Sequence, residues 1–225
     1  MKLPNIFVPE KDLESEIEGL LKEGKSLVQP KHDKFEIVKD NTYAKGIAEL
    51  KKQGKKPFTF FENVEARIAD YEANGKNAEL FNTWLDSITG VAYKANSTKF
   101  KIILRSDKLE NIKPDFDQSF MPVDYNAEHG IKLDSSKGKY NQSLTREGAK
   151  NHEFWLAVMN GDKEKLAEYV NLWFDMTGKD KGMGVYLRDN TGQNELRKLA
   201  LYVNYSGVYG DYGLHDYAQF VSGAQ

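Results

Sequence analysis

The chain of 225 residues contains no cysteine. Disulfides, thiolate metal sites and cysteine nucleophiles are thereby excluded, although the compartment is not fixed by this. No uninterrupted apolar run approaches the ~20 residues that span a bilayer. Behind Met1-Lys2-Leu3-Pro4-Asn5 there is no apolar stretch of the kind a secretory signal needs. Membrane insertion and a cleaved leader are not expected, which leaves the cytoplasm or display on a cell or virus surface by another route. Excess basic charge is missing too. Lys and Arg total 32 against 34 Asp and Glu, a net charge of −2, whereas nucleic-acid partners call for a basic face. The four histidines, His32, His129, His152 and His215, lie far apart with no HExxH spacing. No metal and no cofactor is expected.

Helical patterns dominate the first three quarters of the chain. Leu13, Ile17, Leu20 and Leu21 share a face over 10–23, with Gly24 as a stop, and Tyr43, Ile47 and Leu50 suggest a second helix. Residues 1–56 read as a helical extension packed on a main domain over 57–225. Thr59 and Glu62 have capping-box spacing for a helix through Val64, Ile68 and Tyr71. A helix over 78–88 would bury Leu80, Phe81, Trp84, Leu85 and Ile88. The runs Val91–Ala95 and Lys99–Leu104 flank Asn96-Ser97-Thr98 as a hairpin would. Residues 105–142 read as a long irregular connection. Helices are expected over 147–159 and 163–176, the second capped by Asp162. Trp84, Trp155 and Trp173 read as core packing. Strands follow at Met183–Arg188, Leu196–Val203 and Tyr217–Val221, with Asp189-Asn190-Thr191-Gly192 as a turn. Leu199, Leu201 and Val203 are expected on the core face. Helices first and an antiparallel sheet after make an α+β arrangement.

The segment Leu199–Tyr217 is compositionally unlike the rest. It holds five of the twelve tyrosines, three glycines and no Lys, Arg, Glu, Gln, Met or Trp. At the chain's average density about five or six charged residues would fall there, yet only Asp211 and Asp216 do. Tyrosine combines a rigid apolar face with a hydroxyl, and Ser, Gly and Asn add adaptable hydrogen bonding, the mixture that antibody paratopes use. Random replacement of the adenines in an AAC or AAT codon yields Asn, Tyr, Asp, Ser, His, Gly, Val, Leu, Phe or Ala, never Lys, Glu, Gln, Met or Trp. The segment obeys that exclusion. A glycine-rich hairpin with its tyrosines packed on the sheet would share this composition. However, Tyr205, Tyr209 and Tyr212 do not hold the period of two that a packed strand face needs.

The chain resembles the variable proteins of diversity-generating retroelements, especially archaeal members of the nanoarchaeal type. The resemblance rests on Gly184-Val185-Tyr186-Leu187-Arg188, Gln193-Asn194-Glu195-Leu196-Arg197, the tyrosine-rich run, and the closing Ala218-Gln219-Phe220-Val221. Gln219 stands where the family commonly has Arg. Phe81-Asn82-Thr83-Trp84-Leu85-Asp86, Gly90-Val91-Ala92-Tyr93-Lys94 and Thr98-Lys99-Phe100-Lys101-Ile102 are similar to archaeal members as well. The likeness implies a C-type lectin-like fold of the formylglycine-generating-enzyme variety, with helices packed on a small antiparallel sheet. It implies a variable region over about 184–221, rewritten by adenine-directed mutagenesis and displayed to solvent. Carried over by position, the ligand-contacting residues would be Tyr202, Asn204, Tyr205, Ser206, Tyr209, Asp211, Tyr212, His215, Asp216 and Tyr217. Ala218, Phe220 and Val221 would be constant scaffold. The Glu-Pro-Asn and Trp-Asn-Asp elements of calcium-dependent sugar-binding lectins are absent, and formylglycine generation needs cysteines the chain lacks.

Three functions are therefore open. The first, and the reading adopted, is a non-enzymatic binding protein whose ligand is a macromolecule, a protein foremost. The second is a hydrolase using His215 with Asp216 or Asp211; no Gly-x-Ser-x-Gly elbow surrounds Ser206. The third is a structural or virion protein with a C-terminal subunit interface.

Overall fold

The computed structural model describes residues 35–40, 42–180, 182–189, 191–202 and 207–223. The helix expected at 10–23 lies outside the described residues, as do Val203, Asn204, Tyr205 and Ser206. Nine strands and six α-helices are described: β1 Phe35–Asp40, α1 Tyr43–Lys52, α2 Phe60–Asn74, β2 Leu85–Tyr93, β3 Lys99–Ile103, α3 Asp107–Glu110, β4 Met121–Pro122, β5 Ile131–Asp134, α4 Arg146–Lys150, α5 Glu153–Val158, α6 Lys163–Thr177, β6 Gly184–Tyr186, β7 Glu195–Tyr202, β8 Gly207–Tyr209 and β9 Ala218–Gly223.

The main sheet runs β5-β3-β2-β7-β8-β6, and β4 also pairs with β7. Its pairings are antiparallel except for β6 with β8, which is parallel. The first and last described strands, β1 and β9, form a separate antiparallel pair. Residues on both sides of position 57 therefore share one packing unit. Tyr43, Ile47 and Leu50 of α1 are buried with Ile88, Leu196 and Phe220. On the opposite side of the sheet, α2, α5 and α6 bury Phe60, Val64, Trp155, Tyr169 and Trp173 against Val91, Leu199 and Leu201.

Local chemistry sets the helix ends. The Thr59–Glu62 capping box forms in full, satisfying two orphan N–H groups at once. Asp162 Oδ1 accepts from Lys165 N at 2.8 Å, and α6 stops at Gly178 in the left-handed region. The β2–β3 hairpin turns through Asn96, φ 50°, as the Asn-Ser-Thr signal predicts.

Two expected helices differ. Over 78–88 a single 3₁₀ turn, Leu80–Asn82, gives way to β2. Every residue of β2 is buried, so its apolar positions do not show a strand's alternation, and the run mimics a buried helix face. The 147–159 helix is two short ones, because Asn151 and His152 break the ladder and His152 caps the second. β7 likewise lacks one core face: Lys198 and Ala200 are as buried as Leu199 and Leu201, since the strand lies centrally with apolar layers on both sides.

His152 gives the fold a pH dependence. Its Nδ1 accepts from Phe154 N at 3.3 Å, and its Nε2 lies 3.1 Å from the Lys139 carbonyl. A second ring proton would occupy the capping nitrogen. Burial is the main cause holding its pKa down at about 4, against ~6.5 for a free histidine. The unfolded chain thus binds the proton first, and the stability contributed by neutral His152 is present above pH ~6.5 and lost as pH falls toward 4. His152→Asn keeps a capping oxygen and removes the titration. The stability of the wild type relative to this variant, from urea unfolding between pH 7.5 and 4.5, is expected to fall by about 2–3 kcal/mol.

Candidate binding surface

Pairing Leu85 with Leu201 across β2 and β7 places Trp84 opposite Tyr202, and their ring centroids lie 5.2 Å apart. The in-register pair Tyr186 and Tyr209 of β6 and β8 stacks at 5.0 Å and 12°. Trp84 joins these groups. It stacks on Tyr209 at 5.9 Å and meets Tyr212 edge-on at 4.6 Å. Aromatic pairs in such geometries add about 0.5–1.5 kcal/mol beyond area burial. Trp84, Tyr186, Tyr202 and Tyr212 are half-buried, whereas Tyr209 is 9% exposed.

Beneath the cluster, polar groups hold the backbone. Arg67 on α2 is fully buried and donates to Tyr169 Oη at 2.8 Å, the Thr83 carbonyl at 2.6 Å and the Leu201 carbonyl at 3.1 Å. It thereby ties together the residues preceding Trp84 and Tyr202. Asp86, two positions after Trp84 and so on the same strand face, accepts from Trp84 Nε1 and Gln219 N, each at 2.9 Å. Its other oxygen pairs with Lys198 Nζ at 2.8 Å, with both side chains at zero exposure. Burial raises the Asp86 pKa, and Lys198 opposes that shift.

Most of the remaining site residues lie in the loop between β8 and β9. Asp211 is half-buried. Burial raises its pKa against the pull of its own backbone N–H, Arg188 and Arg197. Asp216 Oδ2 accepts from Gly213 N at 2.7 Å, closing the turn. His215 Nε2 stands 3.4 Å from Asp216 Oδ1, and the two side chains are 51% and 40% exposed. Tyr217 is 47% exposed, the large hydrophobic most open to solvent among the described residues. The structure therefore brings Tyr202, Tyr209 and Tyr212 into one cluster, puts His215, Asp216 and Tyr217 on an adjoining exposed turn, and leaves Asn204, Tyr205 and Ser206 outside the described residues. Among the described residues no group of three or more His, Asp or Glu side chains is arranged to hold a metal, and no helix is long and apolar enough to cross a membrane.

Comparison with solved structures finds a protein described as the accommodation of massive sequence variation in Nanoarchaeota by the C-type lectin fold. It aligns over 88% of this chain and 100% of its own, with a TM-score of 0.67 and 16% identity. The chain has the C-type lectin fold. No family model and no curated protein matches the sequence, so the relationship rests on shape. Between β8 and β9, His215 and Tyr217 are exposed and Asp211, Tyr212 and Asp216 half-buried, while Gly213 and Leu214 are buried.

Trp84 and Tyr186 escaped the sequence reading as surface residues. The sequence pattern places Trp84 in a helix core, whereas the structure puts it just before β2 among tyrosines. Strand parity between Trp84 and Asp86 is the signal that would have placed it. Tyr186 lies within the Gly-Val-Tyr-Leu-Arg run, and only the parallel pairing with β8 brings it to Tyr209.

Proposed function

We propose that this protein binds a protein ligand through a diversified surface on the C-type lectin fold, formed by Tyr202, Asn204, Tyr205, Ser206, Tyr209, Asp211, Tyr212, His215, Asp216 and Tyr217, and that it is not an enzyme. The carrying observation is the fold's likeness, at 16% identity, to a structure described as accommodating massive sequence variation. The composition of 199–217 supports it, because those residue types are what adenine-directed rewriting of AAC or AAT codons produces. On this reading the variable region spans about 184–221. The hydrolase alternative in its His215–Asp216 form is disfavoured by the exposure of both side chains: a general base is tuned by burial and neighbours, and this pair faces water.

Exposed variable positions should be dispensable for folding. The double substitution His215→Ser with Tyr217→Ser is expected to shift Tm by less than about 4 °C, since each surface change stays within about 0.5 kcal/mol. Loss of cooperative unfolding would sink the proposal. A change of molecular mass in light scattering would favour the subunit-interface reading instead. At the gene, a neighbouring reverse transcriptase and a near-copy of the 3′ end differing at adenines would establish the diversification.

A further inference from the structure

The half-buried aromatic cluster is built from two sources. Tyr202, Tyr209 and Tyr212 belong to the tyrosine-rich segment, whereas Trp84 precedes it by more than a hundred residues and touches all three. Tryptophan's codon, TGG, carries no adenine, so the rewriting proposed above has nothing to act on at Trp84 even if it extended there. The indole is also fixed from below. Asp86 accepts its Nε1–H and the Gln219 N–H on one oxygen, while Lys198 holds the other. Of the three tryptophans, Trp155 and Trp173 are buried and only Trp84 reaches solvent.

Charge indicates what this ring meets. The segment 199–217 carries Asp211 and Asp216 and no Lys or Arg. Cations nearby are engaged: Lys198 by Asp86, and Arg197 by Glu195 Oε2 at 2.8 Å and the Asp211 carbonyl at 3.1 Å. Burial raises the Asp211 pKa, and its own backbone N–H, Arg188 and Arg197 oppose that shift. Asp211 Oδ1 is buried and accepts no hydrogen bond from the described residues. Ring faces in a segment whose only charged side chains are carboxylates suit a guanidinium, which stacks on aromatic rings and forks to carboxylates, better than an acidic or aliphatic group.

Resting on the binding function proposed above, we infer that Trp84 is a constant contact residue of the diversified surface, that Asp86 is its positioning residue, and that the position takes an arginine presented by a protein partner. The tyrosine-rich segment then tunes selectivity around a fixed aromatic anchor. Hot spots of interfaces are enriched in Trp, Tyr and Arg and sit where neighbouring contacts exclude water.

The test uses random dodecapeptides displayed on phage and selected on the full chain. Enriched peptides, synthesised and titrated, are expected to contain arginine and to lose at least ~10-fold affinity on Trp84→Ala. The pair Asp86→Ala with Lys198→Met removes both buried charges and the acceptor for the indole, and should reproduce that loss together with loss of the Trp84 near-ultraviolet ellipticity. Asp86→Asn with Lys198→Met retains an acceptor oxygen and should restore both. Peptides that bind Trp84→Ala unchanged yet weaken on His215→Ser with Tyr217→Ser overturn the anchor and leave the binding surface standing. Peptides indifferent to all these variants overturn the binding surface itself. Trp84-dependent peptides without arginine overturn the charge argument, and failure of any peptide to enrich counts against the anchor.

Discussion

Lys198→Met is expected to remove about 3–5 kcal/mol of folding free energy, the range for a buried pair deprived of one partner. Lys198 and Asp86 have zero exposure and sit 2.8 Å apart between β7 and β2. Without the ammonium, Asp86 is left as a buried carboxylate whose remaining partners, Trp84 Nε1 and Gln219 N, both use one oxygen. Burial is the first cause of its raised pKa and Lys198 the main cause working against it, so the variant's Asp86 should titrate higher still. The folded variant then binds a proton that the unfolded chain does not take up until pH ~4, and its deficit should narrow as pH falls from 8 to 5. Urea midpoints across that interval check the sign. Adding Asp86→Asn to Lys198→Met removes the stranded charge and should recover most of the loss, as replacement of whole buried pairs commonly does. A deficit independent of pH, or unrecovered by the second substitution, would show that Lys198 acts through packing against Tyr43, whose ring lies 5.4 Å from its Nζ.

This pair shows where sequence reasoning stopped. Elements with a local code were legible. The Thr59–Glu62 box, the Asp162 cap, the Asn-Ser-Thr hairpin and the final strands all follow from neighbours within four residues. The first part of β2, up to Ile88, was not, because its partners are remote. Ser87 Oγ donates to the Leu199 carbonyl at 2.8 Å, Thr89 Oγ1 to the Leu104 carbonyl at 2.6 Å, and Tyr43 Oη to the Ser87 carbonyl at 2.9 Å. These bonds hold a register shift between Asp86 and Gly90, and the polar residues they use look like a solvated helix face when only the sequence is read. Lys198 presented the same difficulty, since a lone lysine in a strand reads as surface until its carboxylate is found 112 residues away.

The site was legible by composition but not by orientation. Tyr209 and Tyr217 look equivalent in the sequence, yet Tyr209 is 9% exposed and Tyr217 47%. The difference comes from β8, where Tyr209 pairs with Tyr186 on one side and Ala200 on the other. Tyr217 precedes β9 at the end of a turn closed by Asp216. A ring in the sheet and a ring on a turn experience different constraints, and codon-level variability alone does not separate them.

Gly207 is the position in the segment where variation should be least tolerated. It begins β8 opposite Gly184 of β6 in a parallel pair and faces Tyr202 of β7. A Cβ there would overlap the Gly184 carbonyl oxygen and lie 2.8 Å from its carbonyl carbon. The obstacle is backbone on a paired strand, so no side-chain rotation relieves it. Overpacking of this kind costs about 1–3 kcal/mol, occasionally more, and the absence of any mobile group puts Gly207→Ala at about 3 kcal/mol or above. The expected fall in Tm is about 6–12 °C, accompanied by loss of the tyrosine near-ultraviolet signal as Tyr186 and Tyr209 part. Gly192→Ala, where an added Cβ meets nothing within 4 Å, is the control and should leave both unchanged. A Gly207→Ala protein with wild-type Tm would mean that β6 and β8 separate freely, and the stacked pair that supports Trp84 would then be too loose to present a defined surface. The confirmed result would instead divide the segment into exposed positions free to change and one glycine that must be spared if each new sequence is to fold.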